Sequence, residues 1–179
     1  MPFPILLYAA AVVSLAAAAV FILTVRRDPQ THRLIEKLPR ERISGSILAA
    51  IALLWCIPNI RPIFMPDSPF QNLVVPLILL SIVLAALFLN YLFARAVAAI
   101  LILGAHAVLK AGYPVSPSGY PVLAALVLIA GVIGIVISAK PYWLRDWFRL
   151  SFRNPAVRWG SAAYFLLLCA MSCYCAAGA

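Results

Sequence analysis

Long apolar runs alternate with short polar segments along the chain, and these runs define the predicted elements. The longest is 73–110, which carries one formal charge, Arg95, before Lys110 at its end. As one straight helix it would extend roughly 57 Å at about 1.5 Å per residue. A bilayer hydrocarbon core is only about 30 Å thick. The pattern therefore predicts two helices in this stretch, with Arg95 near the turn between them.

The remaining apolar runs each predict one further helix. Small residues recur every four positions in two of them, at Ala10, Ser14 and Ala18 in the first run and at Ala130, Gly134 and Ser138 in the run 121–139, and helices can pack closely along such a face. The N-terminal run has no basic residues before it and is long for a signal peptide, so we expect it to be retained as a helix. The predicted fold class is all-α, a polytopic bundle of six spans that forms a single integral membrane domain over residues 1–179. The six spans lie at about 4–25, 44–60, 73–92, 96–110, 121–139 and 157–177.

Composition supports a membrane location. Hydrophobic residues make up 65% of the chain and charged residues 11%, whereas a soluble domain carries about 25% charged residues. The formal net charge is +9. In a soluble protein such an excess would suggest a nucleic-acid partner. In a membrane protein the positive-inside rule accounts for it, because cytoplasmic loops are enriched in lysine and arginine. We therefore expect no nucleic-acid partner.

The distribution of basic residues predicts the orientation. With both termini outside, the cytoplasmic pieces 26–42, the turn at Arg95 and 140–158 hold six, one and five basic residues, twelve in total. The external pieces hold two, Arg61 and Lys110. A five-span arrangement would place the two main basic clusters on opposite sides of the membrane. The charge bias therefore favours six spans.

The segment 141–154 has the pattern of an amphipathic helix on the cytoplasmic surface. At 100° per residue, Arg145, Arg149 and Arg153 share one narrow face beside Asp146. The apolar side is formed by Trp143, Leu144, Trp147, Phe148 and Leu150. Such helices place cationic groups at the level of lipid phosphates and indoles among the acyl chains. The predicted binding residues for anionic headgroups, or for another membrane subunit, are Arg145, Arg149, Arg153, Trp143 and Trp147.

Few side chains inside the predicted spans could support chemistry. His106 and Lys110 are four residues apart, hence on one face of the fourth span, and with Arg95 they form a possible intramembrane polar site. Haem ligation by two histidines would need a second histidine in the membrane, and the other one, His32, lies in a predicted loop.

The cysteines of the last span, Cys169, Cys173 and Cys175, are weak candidates for binding a soft metal ion. One of them could instead form a disulfide with Cys56, or all four could be small core residues. We expect no metal site, no cofactor and no catalytic residue.

These patterns predict a non-catalytic accessory or scaffolding subunit of a larger membrane assembly. The compact single chain is typical of a bacterial inner membrane. The expected partners are membrane lipids with anionic headgroups at the cytoplasmic face, together with other membrane protein subunits. The alternative is a small transporter or lipid-handling protein whose path is lined by the fourth span, at His106 and Lys110. The identity of a partner or transported species is not encoded in any motif of the sequence.

Overall fold

The computed structural model describes residues 3–23, 42–60, 70–88 and 91–178, and every regular element in these ranges is an α-helix. The basic segment before Arg42 and the residue Arg61, which the sequence predicts to be external, lie outside the described residues. The helices are α1 Phe3–Leu23, α2 Arg42–Ile60, α3 Phe70–Phe88, α4 Leu92–Gly112, α5 Tyr120–Ala139, α6 Tyr142–Arg153 and α7 Pro155–Ala177.

Four of these helices are long and apolar enough to cross a membrane: α1, α4, α5 and α7. In α2 and α3 the described apolar stretches are shorter, Ile43–Ile57 and Leu73–Leu87. Large hydrophobic side chains are exposed along α1, α3 and α5, as expected for helices that contact lipid. The all-helical class and the membrane character predicted from the sequence are therefore confirmed.

The stretch 73–110 divides into two helices, as its length predicted. Helix α3 ends at Phe88 and α4 begins at Leu92. The residue before α4, Tyr91, is in the left-handed region with φ 58°, which is uncommon for a residue that is not glycine. Arg95 lies within the first turn of α4 and donates its backbone N–H to the Tyr91 carbonyl at 3.2 Å. The break therefore falls about four residues before the position expected from the charge, because the backbone turn forms at Tyr91.

One end of the bundle, which we call the turn end, contains the turn between α4 and α5. A buried cluster there joins the start of α1, the end of α4, the start of α5 and the end of α7. Its buried members are Phe3, Leu6, Leu7, Ala105, Val108, Leu123, Val127, Cys175 and Ala176. Trp55, near the end of α2, packs against this cluster. The Tyr120 hydroxyl closes the turn by donating to the Leu109 carbonyl at 2.9 Å.

The opposite end, which we call the α6 end, holds two further clusters. Ala94 and Ala98 of α4 pack with Ile137 of α5 and Leu144 of α6. Near them, the start of α4 packs with the start of α2 and the end of α3, through Ala49, Ala85, Leu92 and Ala96. Helices that follow each other in the chain, α6 excepted, therefore run in opposite directions between the two ends.

Small residues permit close helix packing, as the four-residue spacing predicted. In α5, Ala130 and Gly134 are buried. A Cβ atom added to Gly134 would lie 2.9 Å from the Ala98 carbonyl oxygen, so α4 and α5 are in backbone contact. Ser138, the third residue of that predicted face, is exposed. In α1, Ser14 and Ala18 are buried, and α1 packs along α7.

Candidate functional site

The inner face of α6 is fixed to the bundle. Leu144 and Ser151 are 4% and 1% exposed, and both lie on the side of α6 opposite the arginines. The Trp147 indole N–H donates to the Ser161 hydroxyl of α7 at 3.1 Å. One turn on, the Ser151 hydroxyl donates to the Trp147 carbonyl at 2.9 Å. Helix α6 is therefore attached by packing and by a side-chain hydrogen bond, and not by its connections to α5 and α7 alone.

An aromatic cluster strengthens this attachment. The ring of Phe21, near the end of α1, lies 5.8 Å from Trp147 and 6.0 Å from Phe148, measured between centroids. It also stacks on Phe165 of α7 at 5.9 Å. Aromatic rings at these separations attract each other through their quadrupoles, in addition to the area that they bury. Three helices, α1, α6 and α7, are therefore joined at one point of the α6 end.

The charged face of α6 lies on the outside. Arg149, Arg153 and Asp146 are exposed, as expected from their positions on the charged face. We call the row formed by Arg145, Arg149 and Arg153 the arginine strip. The Arg145 guanidinium pairs with the neighbouring Asp146 carboxylate at 3.2 Å. This exposed pair stabilises little, but it partly neutralises the first arginine of the strip.

The two tryptophans of α6 differ, contrary to the expectation that both face lipid. Trp147 faces the bundle, because Ser161 and Phe21 provide partners for its indole. Trp143 is 47% exposed, and Lys140 Nζ lies 5.4 Å from the centroid of its ring. Only Trp143 can therefore serve as a surface anchor, while Trp147 holds the helix in place.

Sequence reasoning missed a second pair of a cation and a tryptophan, Arg158 and Trp159, at the start of α7. The Arg158 guanidinium carbon lies 5.9 Å from the centroid of the Trp159 ring, and Trp159 is 54% exposed. The Asn154 side chain caps α7 by accepting the Ala156 N–H at 2.9 Å, which places Arg158 in the first full turn. The available signal was an arginine one turn inside an apolar helix. Arg158 was instead counted with the basic residues of the loop that precedes this helix.

The proposed intramembrane polar site does not come together. His106 and Lys110 are both exposed, whereas their neighbours Ala105 and Val108 fill the buried face of α4. Arg95 lies eleven residues before His106, which is about 16 Å along a helix. The histidine and lysine therefore share an outer face of α4 near the turn end, and the arginine belongs to the α6 end.

The cysteines do not form the three-thiol cluster that a soft metal ion would need. All four are free thiols in the structure. Cys175 is buried, with its Sγ 3.8 Å from the Ser118 carbonyl oxygen, while Cys173 is exposed and Cys169 is half-buried. In the part of the chain that the structure describes, no three side chains of histidine, cysteine, aspartate or glutamate are grouped to hold a metal ion.

Comparison with known proteins gives no relative from which to infer an activity: no family model, no curated protein and no solved structure matches the chain. The α6 end, with its exposed cations and tryptophans, is therefore the surface from which a function is proposed.

Proposed function

We propose that this chain is a six-span inner-membrane protein that acts as a non-catalytic accessory or scaffolding subunit of a larger membrane assembly. Both termini lie outside, and α6 lies on the cytoplasmic surface. The antiparallel order of the apolar helices supports this topology, because it brings Arg95 and the basic residues of 140–158 to the α6 end. Lys110 lies near the turn end. The positive-inside rule assigns the basic end to the cytoplasm.

The rigid mounting of the arginine strip supports the scaffolding role most directly. A helix that serves only as a lipid anchor needs an apolar face in the acyl chains. The face of α6 opposite its arginines is instead used to pack on α5 and α7, through Leu144, Trp147 and Ser151. The exposed charges therefore have a fixed spacing. Because the helix that carries these charges is already ordered, its backbone loses little conformational freedom when a partner binds, which favours docking of another subunit.

The transporter alternative has less support. It requires His106 and Lys110 to line a path along α4, but both are on the outer face of the described bundle. The inward positions beside them are occupied by Ala105 and Val108. In a membrane, this outer face is available to lipid or to another subunit, and an ionisable side chain there is better accommodated by a protein partner.

The strip is tested by replacing Arg145, Arg149 and Arg153 together with glutamine, and separately with lysine. The protein and the two variants are extracted in mild detergent and compared by native mass spectrometry. We expect the wild-type chain to retain a second membrane subunit and the glutamine variant to lose most of it, because three positive charges are removed. We expect the lysine variant to retain the subunit, since charge at fixed spacing is conserved.

Two results would contradict the proposal. If the wild-type chain is recovered alone or only as a homo-oligomer, the scaffolding role is wrong. A homo-oligomer with a retained solute would support the transporter alternative. If the glutamine variant retains the partner fully, the strip is not the docking surface. Thermal unfolding of all three proteins provides the control, because the exposed arginines should contribute little to the stability of the fold.

A further inference from the structure

One arginine at the α6 end, Arg158, is partly buried and has a buried donor atom that no acceptor among the described residues satisfies. Arg158 Nε is buried, and it has no hydrogen-bond partner in the part of the chain that the structure describes. Its guanidinium is adjacent to the face of Trp159, which attracts a cation but accepts no conventional hydrogen bond. A buried guanidinium donor without an acceptor is costly, and an anion is the strongest acceptor for a guanidinium.

The position of Arg158 in α7 indicates the level in the membrane at which this anion lies. Arg158 follows Pro155 by three residues, which is about 4.5 Å along a helix axis. Side chains of a helix lean towards its N-terminus, so that of Arg158 is directed towards the corner between α6 and α7. In the proposed topology, this corner lies where the hydrocarbon core meets the headgroups.

The tryptophans at this end favour a lipid as the source of the anion. Trp159 and Trp143 are each about half exposed, and each lies beside a cation, Arg158 and Lys140 respectively. Exposed indoles are enriched at the headgroup level of membranes. The N–H groups of a guanidinium lie in one plane, and two of them can donate parallel bonds to two phosphate oxygens, which lysine cannot do.

We propose that Arg158 binds the phosphate of an anionic phospholipid at the corner between α6 and α7, with Trp159 beside the lipid. This site is distinct from the strip of Arg145, Arg149 and Arg153, in which the first arginine already has a carboxylate partner. The proposal rests on the proposed topology, because that topology places the corner at the membrane surface. It does not depend on the scaffolding role.

The experiment uses the full chain, washed free of lipid in detergent and titrated with dioleoyl phosphatidylglycerol or dioleoyl phosphatidylcholine. Native mass spectrometry measures bound lipid for the wild type, R158Q, R158K and the control R95Q. Arg95 is exposed and lies at the same end. We expect R158Q to bind phosphatidylglycerol at least tenfold more weakly and R95Q to remain within twofold. Phosphatidylcholine should bind weakly to every protein, and 10 mM inorganic phosphate should not displace phosphatidylglycerol.

Should R158Q fail to fold, R158K decides the question. It retains the charge but lacks the Nε–H, and we expect at least a threefold loss of affinity; wild-type affinity would overturn the proposal. Equal binding of phosphatidylglycerol by wild type and R158Q would also overturn it. So would displacement by inorganic phosphate, which would indicate a site for the free ion.

Two further outcomes would assign Arg158 a protein counter-charge and overturn the lipid site. In the first, the variant D28N/E36Q/E41Q gains phosphatidylglycerol binding that the wild type lacks, so a carboxylate of this chain is the partner. In the second, R158Q loses a co-purifying subunit while its lipid count is unchanged. Failure of the scaffolding proposal is separate, because that concerns subunits lost when the α6 strip is replaced.

Discussion

Replacing Trp147 with alanine should release α6 from the bundle and lower the free energy of unfolding by about 3 kcal/mol. This is the lower end of the usual cost of truncating a large aromatic side chain in a core, because Trp147 is partly buried. The substitution removes the hydrogen bond to Ser161 and the ring contact with Phe21 together. Hydrogen exchange of the backbone amides in 142–153 should become faster than in the wild type. Thermal unfolding in detergent gives the accompanying change in stability.

Trp143→Ala is the matched control, because it truncates the same side chain on the same helix at a half-exposed position. It should change stability by less than about 1 kcal/mol, as surface substitutions usually do. Trp147→Phe should have an intermediate effect, since it retains the ring but leaves the Ser161 hydroxyl without its donor. If Trp147→Ala and Trp143→Ala have equal effects, then α6 is not held by the contacts described.

The second large effect is expected at the contact between α4 and α5. Gly134→Ala would place a Cβ 2.9 Å from the Ala98 carbonyl oxygen and 3.1 Å from Leu101 Cβ. The neighbours at the contact include backbone, so the helices must separate to accommodate the methyl group. Overpacking of this kind typically costs about 1–3 kcal/mol. The measurement is thermal unfolding in detergent, together with the yield of monodisperse protein.

Gly104 supplies the control on α4. A Cβ added there would meet no atom within 4 Å. Gly104→Ala should therefore be neutral or stabilise the fold by up to about 1 kcal/mol, because alanine loses less backbone entropy in a helix than glycine does. A destabilisation by Gly104→Ala as large as that by Gly134→Ala would contradict this account, because it would show that close packing at Gly134 does not explain the loss of stability.

The sequence predicted the helices well because their signals are local. Length and charge divided the stretch 73–110, and the 100° periodicity placed the arginines of α6 on one exposed face. The turn before α4 was predicted about four residues too late, because no glycine or proline marks it. Tyr91 adopts a left-handed conformation there, which its residue type does not indicate. The spacing of Ala130, Gly134 and Ser138 identified a packing face of α5, but nothing in such a pattern specifies α4 as the partner.

The candidate site was only partly predictable, because its geometry depends on contacts between residues that are distant in the chain. Trp143 and Trp147 both lie on the apolar side of α6, so periodicity alone cannot tell which faces the bundle. Phe21 and Ser161 decide it, and they lie 126 residues before and 14 residues after Trp147 in the chain. His106 and Lys110 share a face, as their spacing required, but the spacing does not show that this face is the outer one. Arg158 was counted among loop charges, because its burial depends on how the helices pack.

Single-cysteine labelling tests the central claim, the six-span topology with the α6 end in the cytoplasm. In a variant without native cysteines, Arg33→Cys, Lys140→Cys and Ser116→Cys report on the first basic segment, the start of α6 and the turn between α4 and α5. A membrane-impermeant maleimide should label Ser116→Cys in intact spheroplasts, and Arg33→Cys and Lys140→Cys only in inside-out vesicles. Labelling of Arg33→Cys and Lys140→Cys from opposite sides of the membrane would contradict the six-span account.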